Sequence, residues 1–326
     1  MEMNAPPGSA FSRFVKVFFG SLVTFFAASG VVVWAFDEAG YLPPPPLTAT
    51  NCIDEKFQFI RQHRDLAPDL LAVGSSVTWR NLDFSELEKS SVEFQQPLNG
   101  APCYLTVNQT AWLTNFYLKH LPSVRSVITV FAMRDFEGCE IEGKLFDENL
   151  GRMVMFSDLP EFPVYVVNFR PIRLLEDVGR IRQMRSGEDR KASLRMDEFG
   201  SGPLTLTPPD PRDDVVVTAG CYRHLAEMQS SLETRGIPWL VVLMPPMPSW
   251  LKRYDPDGAR DRAWRKGVAA VLRSSNTKLI DGIRSPFGEE HQFVDPAHFH
   301  WSWAGPFTKW IFRENRGREN AQSKAD

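Results

Sequence analysis

Two short stretches of this chain carry residue types suited to nucleophilic chemistry: Gly74-Ser75-Ser76, and Asp295 with His298. A serine hydroxyl is a weak nucleophile until a base takes its proton, and an imidazole oriented by a carboxylate can be that base. Asp295 and His298 stand three residues apart in VDPAHFHWSWAG, so the carboxylate can orient the ring of its own segment on a loop or a first helical turn. Ser76, His298 and Asp295 would then form a triad. His298 removes the Ser76 proton, and Asp295 fixes the tautomer and stabilises the imidazolium. Ser75 is the alternative nucleophile. His300 would point elsewhere on a short helical turn and reads as structural or substrate-facing. The plainer alternatives are a strand-ending turn at Gly74 and a capping Asp beside a structural His.

These residues need a frame that brings two distant segments together. Leu70, Leu71, Ala72 and Val73 form an apolar run of the kind a strand buried on both faces carries. Gly74 allows a sharp turn, and residues 77–89 continue as a helix. A hydroxyl at such a junction stands at the carboxyl edge of a sheet, where free backbone N–H groups stabilise negative charge. Downstream, residues 91–94, 124–133, 238–244 and 278–281 read as strands. Residues 105–120, 217–235, 257–274 and 304–313 read as helices. Buried strands alternating with helices predict an α/β fold, a three-layer α/β/α sandwich with a mainly parallel sheet, ligands binding beyond its carboxyl edge. Asn99, Gly100, Arg134 and Asp135 would lie along that edge.

With both ends in hand, the chain resembles the SGNH, or GDSL-type, hydrolases, and more narrowly their membrane-anchored branch acting on acyl groups of bacterial cell-surface polymers. The family's first block falls on Gly74-Ser75-Ser76, implying Ser76 as nucleophile, and its last block, Asp-x-x-His, on Asp295 and His298. The second block, a glycine whose N–H joins the oxyanion hole, falls on Gly100 in PLNGAP. The third, Gly-x-Asn-Asp, departs: in SVITVFAMRD Ala132 replaces the Gly and Arg134 the Asn. Losing one oxyanion donor typically costs about 10²–10³ in rate, so Arg134, Asn99 or Asn108 would have to substitute. The resemblance covers roughly residues 68–312. It implies a serine esterase or O-acyltransferase with no cofactor, a glycan or other acyl acceptor as partner, and a multi-pass membrane protein supplying acyl groups.

At 326 residues, 43% hydrophobic and 24% charged, the chain can bury one large core. Its net charge of −3 includes no basic stripe suited to nucleic acid. Residues 17–36 are uncharged and largely apolar, follow Arg13 and Lys16, and precede Asp37 and Glu38. Twenty residues at about 1.5 Å rise span roughly 30 Å, a bilayer core. The basic side assigns residues 1–16 to the cytoplasm and the remainder to the periplasmic or extracytoplasmic side of the inner membrane. A cleaved signal peptide would have a shorter apolar region, and no clean small-x-small site precedes Asp37. Residues 37–51, with four consecutive prolines, read as a stiff extended linker. Residues 52–315 form the α/β domain, with an insertion at about 136–214 that is either a cap over the site or a surface embellishment, and residues 316–326 a polar tail.

Cys52, Cys103, Cys139 and Cys221 lack metal-ligand spacing. Fully paired, they allow three connectivities, and Cys103 with Cys139, both after strand ends, is the pairing expected. Trp301 and Trp303 either line a sugar-binding surface or pack against the sheet. Three function classes stand: an O-acyltransferase or esterase acting on an exopolysaccharide or envelope glycan; a lipid esterase; and a non-catalytic envelope assembly or glycan-binding protein that keeps the fold.

Overall fold

Three apolar runs become strands at the centre of the domain, β1 (Leu70–Ala72), β3 (Ser126–Phe131) and β4 (Trp239–Leu243), and the more polar β5 (Thr277–Asp281) forms one edge. With β2 (Pro97–Asn99) they form a five-stranded sheet in the order β2-β1-β3-β4-β5, every neighbouring pair parallel. The computed structural model describes residues 7–48, 50–88, 94–168, 170–189, 193–205 and 214–322. The strand expected at residues 91–94 is displaced to β2, and residues 91–93 lie outside the described ones. Asp69 explains the approach to β2, its carboxylate accepting the N–H groups of Gln95 and Gln96.

The helices in chain order are α1 (Pro7–Glu38), α2 (Asn51–Gln62), α3 (Ser76–Asn81), α4 (Ser85–Glu88), α5 (Val107–His120), α6 (Glu148–Phe156) and α7 (Phe162–Val167). They continue with α8 (Pro171–Val178), α9 (Ile181–Ser186), α10 (Ala219–Thr234), α11 (Pro248–Tyr254), α12 (Ala259–Val271) and α13 (Trp301–Gln322). A small antiparallel hairpin, β6 (Phe293–Asp295) and β7 (His298–Phe299), precedes α13.

Alternate residues of the strands enter two separate cores, which is why the runs read as continuously apolar. Leu71, Val127, Phe131, Trp239 and Val241 pack with α2, α5, α10 and α12 through residues such as Phe57, Phe116, Leu225 and Trp264. Leu70, Ala72, Ile128, Val130 and Val242 pack with α3, α4 and α13 through Val77, Leu87, Phe307 and Ile311. Burying a Leu or Phe side chain stabilises by roughly 1.5–3 kcal/mol, so both faces contribute to holding the sheet.

The helix expected over residues 77–89 breaks in two. Asn81 turns its amide back onto Val77 O, and Asp83 takes both the N–H and the hydroxyl of Ser85. Short polar side chains bonding the nearby backbone in this way compete with helix continuation.

The expected Cys103–Cys139 pairing is corrected: the disulfides are Cys52–Cys103 and Cys139–Cys221. Cys52 opens α2, whose apolar face packs into the same core as the loop after β2, while Cys221 in α10 faces the start of the insertion. The Cα atoms of the two pairs are 5.9 and 5.2 Å apart, within disulfide reach.

The chain divides into two compact units, one of Met1–Pro43 with Phe169–Arg182, the other of Pro44–Asn168 with Gln183–Asp326. In the first, residues 10–38 of α1 are long and apolar enough to cross a membrane. The prolines at 43–45 are buried, and Pro46 O accepts from Asn168 Nδ2, so this run is packed instead of forming a free spacer.

Candidate active site

Strand β1 ends at the turn that presents the serines. Gly74 is required there by close approach: a Cβ would stand 2.0 Å from Thr78 Oγ1. Ser75 is the N-cap of α3, its Oγ accepting from Val77 N at 3.1 Å. The same hydroxyl donates to Asp135 Oδ1 at 2.6 Å, while Asp135 Oδ2 accepts Ala132 N. Ser75 is thus occupied by structure. Ser76 is the first residue of α3, and it is buried. Thr78 Oγ1 donates to Val130 O and accepts Val130 N, pinning α3 to β3.

The acid and base meet in the β6–β7 hairpin. Asp295 and His298 are cross-strand partners, and His298 Nδ1 lies 2.8 Å from both Asp295 carboxylate oxygens. Both residues are buried, and Asp295 Oδ1 also accepts Ala297 N. With Nδ1 committed to the acid, Nε2 is the nitrogen left for proton exchange. The segment is a hairpin, where the spacing had allowed a loop or helical turn.

Asn81, which the sequence reading did not single out, joins the two halves. Its Nδ2 donates to Ala297 O at 2.9 Å and its Oδ1 accepts Phe299 N at 2.8 Å, so both neighbours of His298 are held by the helix that begins at Ser76. Five residues at helical rise separate Ser76 from Asn81, about 7.5 Å along the axis. The bond that would complete a triad, from Ser76 Oγ to His298 Nε2, is not made in this structure. Catalytic hydrogen bonds are often long without substrate and tighten when it binds. A polar residue within the helix expected over residues 77–89 was the only sequence signal for Asn81.

The residues expected to hold an oxyanion are differently placed. Gly100 N–H donates to Ala72 O at 2.9 Å, and Gly100 O accepts Tyr117 Oη, so its backbone is spent on the sheet edge. Asn99 is fully buried: Nδ2 donates to Trp79 O and Ser201 Oγ, and Oδ1 accepts Ala101 N. Asn108 Nδ2 donates to Ile141 O at 2.7 Å and its Oδ1 accepts the Thr106 hydroxyl. Arg134 lines a pocket at the carboxyl ends of β3 and β4 with Met133, Met244, Pro245, Trp250 and Ala297. Ala297 precedes His298, so this pocket adjoins the acid–base hairpin.

Part of the insertion closes the sheet edge beside the site. Phe199 O accepts Asn99 N, and Gly202 N donates to Trp79 O. Lys56, fully buried, donates from Nζ to Asn99 O and Gly200 O beneath the ring of Trp79. Burial holds the Lys56 amine well below its ordinary value, against the raising pull of Asp197. Burial likewise pushes the Asp197 carboxyl up to about 6, although Ser201 and Phe199 donate to it. His300 Nδ1 pairs with Ser302 Oγ; Trp303 packs edge-on to Phe287, and Trp301 N donates to Leu204 O.

Among the described residues no cluster of His, Cys, Asp and Glu could hold a metal. Comparison of the chain with family models, curated proteins and solved structures found no match.

Proposed function

We propose that this chain is a membrane-anchored serine enzyme of the SGNH-like, three-layer α/β/α kind, transferring or hydrolysing O-acyl groups, O-acetyl above all, of an exopolysaccharide or envelope glycan. The carrying observation is the buried Asp295–His298 pair, locked by Asn81 to the helix whose first residue is Ser76. His298 Nε2 takes the Ser76 proton as Oγ bonds to the acyl carbon. The leaving alcohol takes that proton as its C–O bond breaks, and an acyl-serine remains. Water or a sugar hydroxyl then gives its proton to His298 as its oxygen bonds to the acyl carbon; the bond to Ser76 Oγ breaks, and His298 returns the proton to Oγ. The oxyanion is held by the Ser76 N–H at the start of α3 and by Arg134 in place of the family's Asn.

The two disulfides suit an oxidising compartment, and the basic side of α1 directs the domain outside the cytoplasm. A multi-pass membrane protein supplying acyl groups is the partner this reading calls for. The test is labelling of the full chain in detergent with a serine-directed fluorophosphonate. Wild type labels, and Ser76→Ala and His298→Ala do not; equal labelling in all three removes the proposal. A second reading, a glycan-binding or assembly protein keeping the fold, is favoured by the Gly100 N–H being bonded to Ala72 O, and silence in wild type would select it.

A further inference from the structure

We infer that the face of α8 carrying Ile172 and Leu175 lies in the headgroup layer of the membrane that α1 enters, an inference resting on the anchored reading above. Apolar residues of α8, Ile172, Leu174, Leu175 and Val178, form one stripe, and Arg173, Glu176 and Asp177 the other side. Leu174 and Val178 are half-buried, but Ile172 and Leu175 are 74% and 77% exposed. Two neighbouring aliphatic side chains held in water on a short helix are a cost unless something covers them.

The occupant follows from what shares their unit. α1 and α8 belong to the same compact unit. Tyr41 N and Leu42 N both donate to Phe36 O, closing the last turn of α1. Arg182 lies over the Tyr41 ring at 5.0 Å and donates to its hydroxyl at 2.9 Å, so the chain just after α8 is moored where α1 ends. Counted at helical rise, Leu175 is about 10 Å from Arg182 along the chain, comparable with the depth of one headgroup layer. Tyrosine is enriched at that level. Charge agrees: Arg170, Arg173, Arg180 and Arg182 outnumber Glu176 and Asp177, an excess that anionic headgroups complement. A short amphipathic segment with basic flanks beside an anchor lies in the interface plane with its apolar face down.

The test uses the full chain in phosphatidylcholine vesicles, with and without phosphatidylglycerol. Its four cysteines are paired, so an introduced cysteine carries an environment-sensitive fluorophore alone. Val23→Cys reports the anchor, Leu175→Cys the α8 face, and Glu176→Cys the polar flank beside it. Brominated lipid should quench the probes at 23 and 175, the latter about threefold more than at 176. Quenching at 175 should rise with phosphatidylglycerol, and Arg170→Gln or Arg180→Gln should each lower the docked-to-undocked ratio about fivefold. Quenching at 23 without quenching at 175 overturns the inference and leaves the anchor standing. A blue-shifted but unquenched probe at 175 means a second protein surface covers it, and overturns it too. Absence of quenching at 23 removes the anchored reading and this inference together.

Discussion

Asp295 and His298 meet across one turn of a hairpin, each the other's partner, whereas Gly100 and Asn99 reach their positions through a sheet edge and give their polar groups to it. The first pair was picked out by its spacing in the sequence, the second by the resemblance to a family block and its place at a strand end. The first is local: three residues and one chain reversal place a carboxylate against an imidazole whatever the rest of the fold does. The second depends on which neighbours arrive. Here Ala72, Trp79 and Ser201 arrive, and the donors become structural.

The sharpest way to break this contrast is at the hairpin. His298→Ala should lower ester turnover by about 10⁴ with the thermal transition little changed, measured with an acetyl ester on the full chain. A loss under tenfold would mean the pair is only structural.

A smaller effect separates the two candidate oxyanion groups. Arg134→Met should cost about 10²–10³ in kcat, the usual price of one donor to a developing charge. Asn99→Ala should instead cost about 2 kcal/mol of stability, because Trp79 O and Ala101 N lose buried partners, with kcat per folded molecule kept. Urea unfolding and turnover on the same samples read both; the reverse pattern would make Asn99 the donor.

The mildest test concerns the segment that covers the edge. The Asp197 carboxyl is raised to about 6, so the folded state binds its proton more tightly than the unfolded chain does. Its contribution therefore favours folding below about pH 4 and is lost as pH rises through 6. Asp197→Asn, which can still accept the Phe199 and Ser201 N–H groups, should become more favourable relative to wild type from pH 4 to 7, by up to about 3 kcal/mol. A pH-independent difference in unfolding free energy would place the Asp197 titration elsewhere.

Much of the frame was legible. VITVF and WLVVL consist of β-branched or large apolar residues throughout, and strands buried on both faces admit little else. The helix of residues 105–120 was legible too, and its N-terminus is sharpened by the Thr106–Gln109 capping box. What escaped had its cause far away in the chain. β2 is three residues with a Pro at its start, and the edge of β1, the carboxylate of Asp69 and the carbonyl of Phe199, all distant in the chain, make it a strand. The disulfide partners were missed because strand ends say nothing about where α2 and α10 will dock. Asn81 looked like one more polar residue in a helix until the hairpin was laid beside it.

Strand β1 stops early, and at the level of Val130 the lattice of the sheet would have a hole. One threonine fills it, its hydroxyl answering both the amide and the carbonyl that a longer strand would have met. Because Thr78 is two residues beyond Ser76, this plug also fixes the roll of the helix about its own axis. A slip by a single position would cost two bonds at once, so the depth at which the serine stands is set by a neighbour with no chemistry of its own.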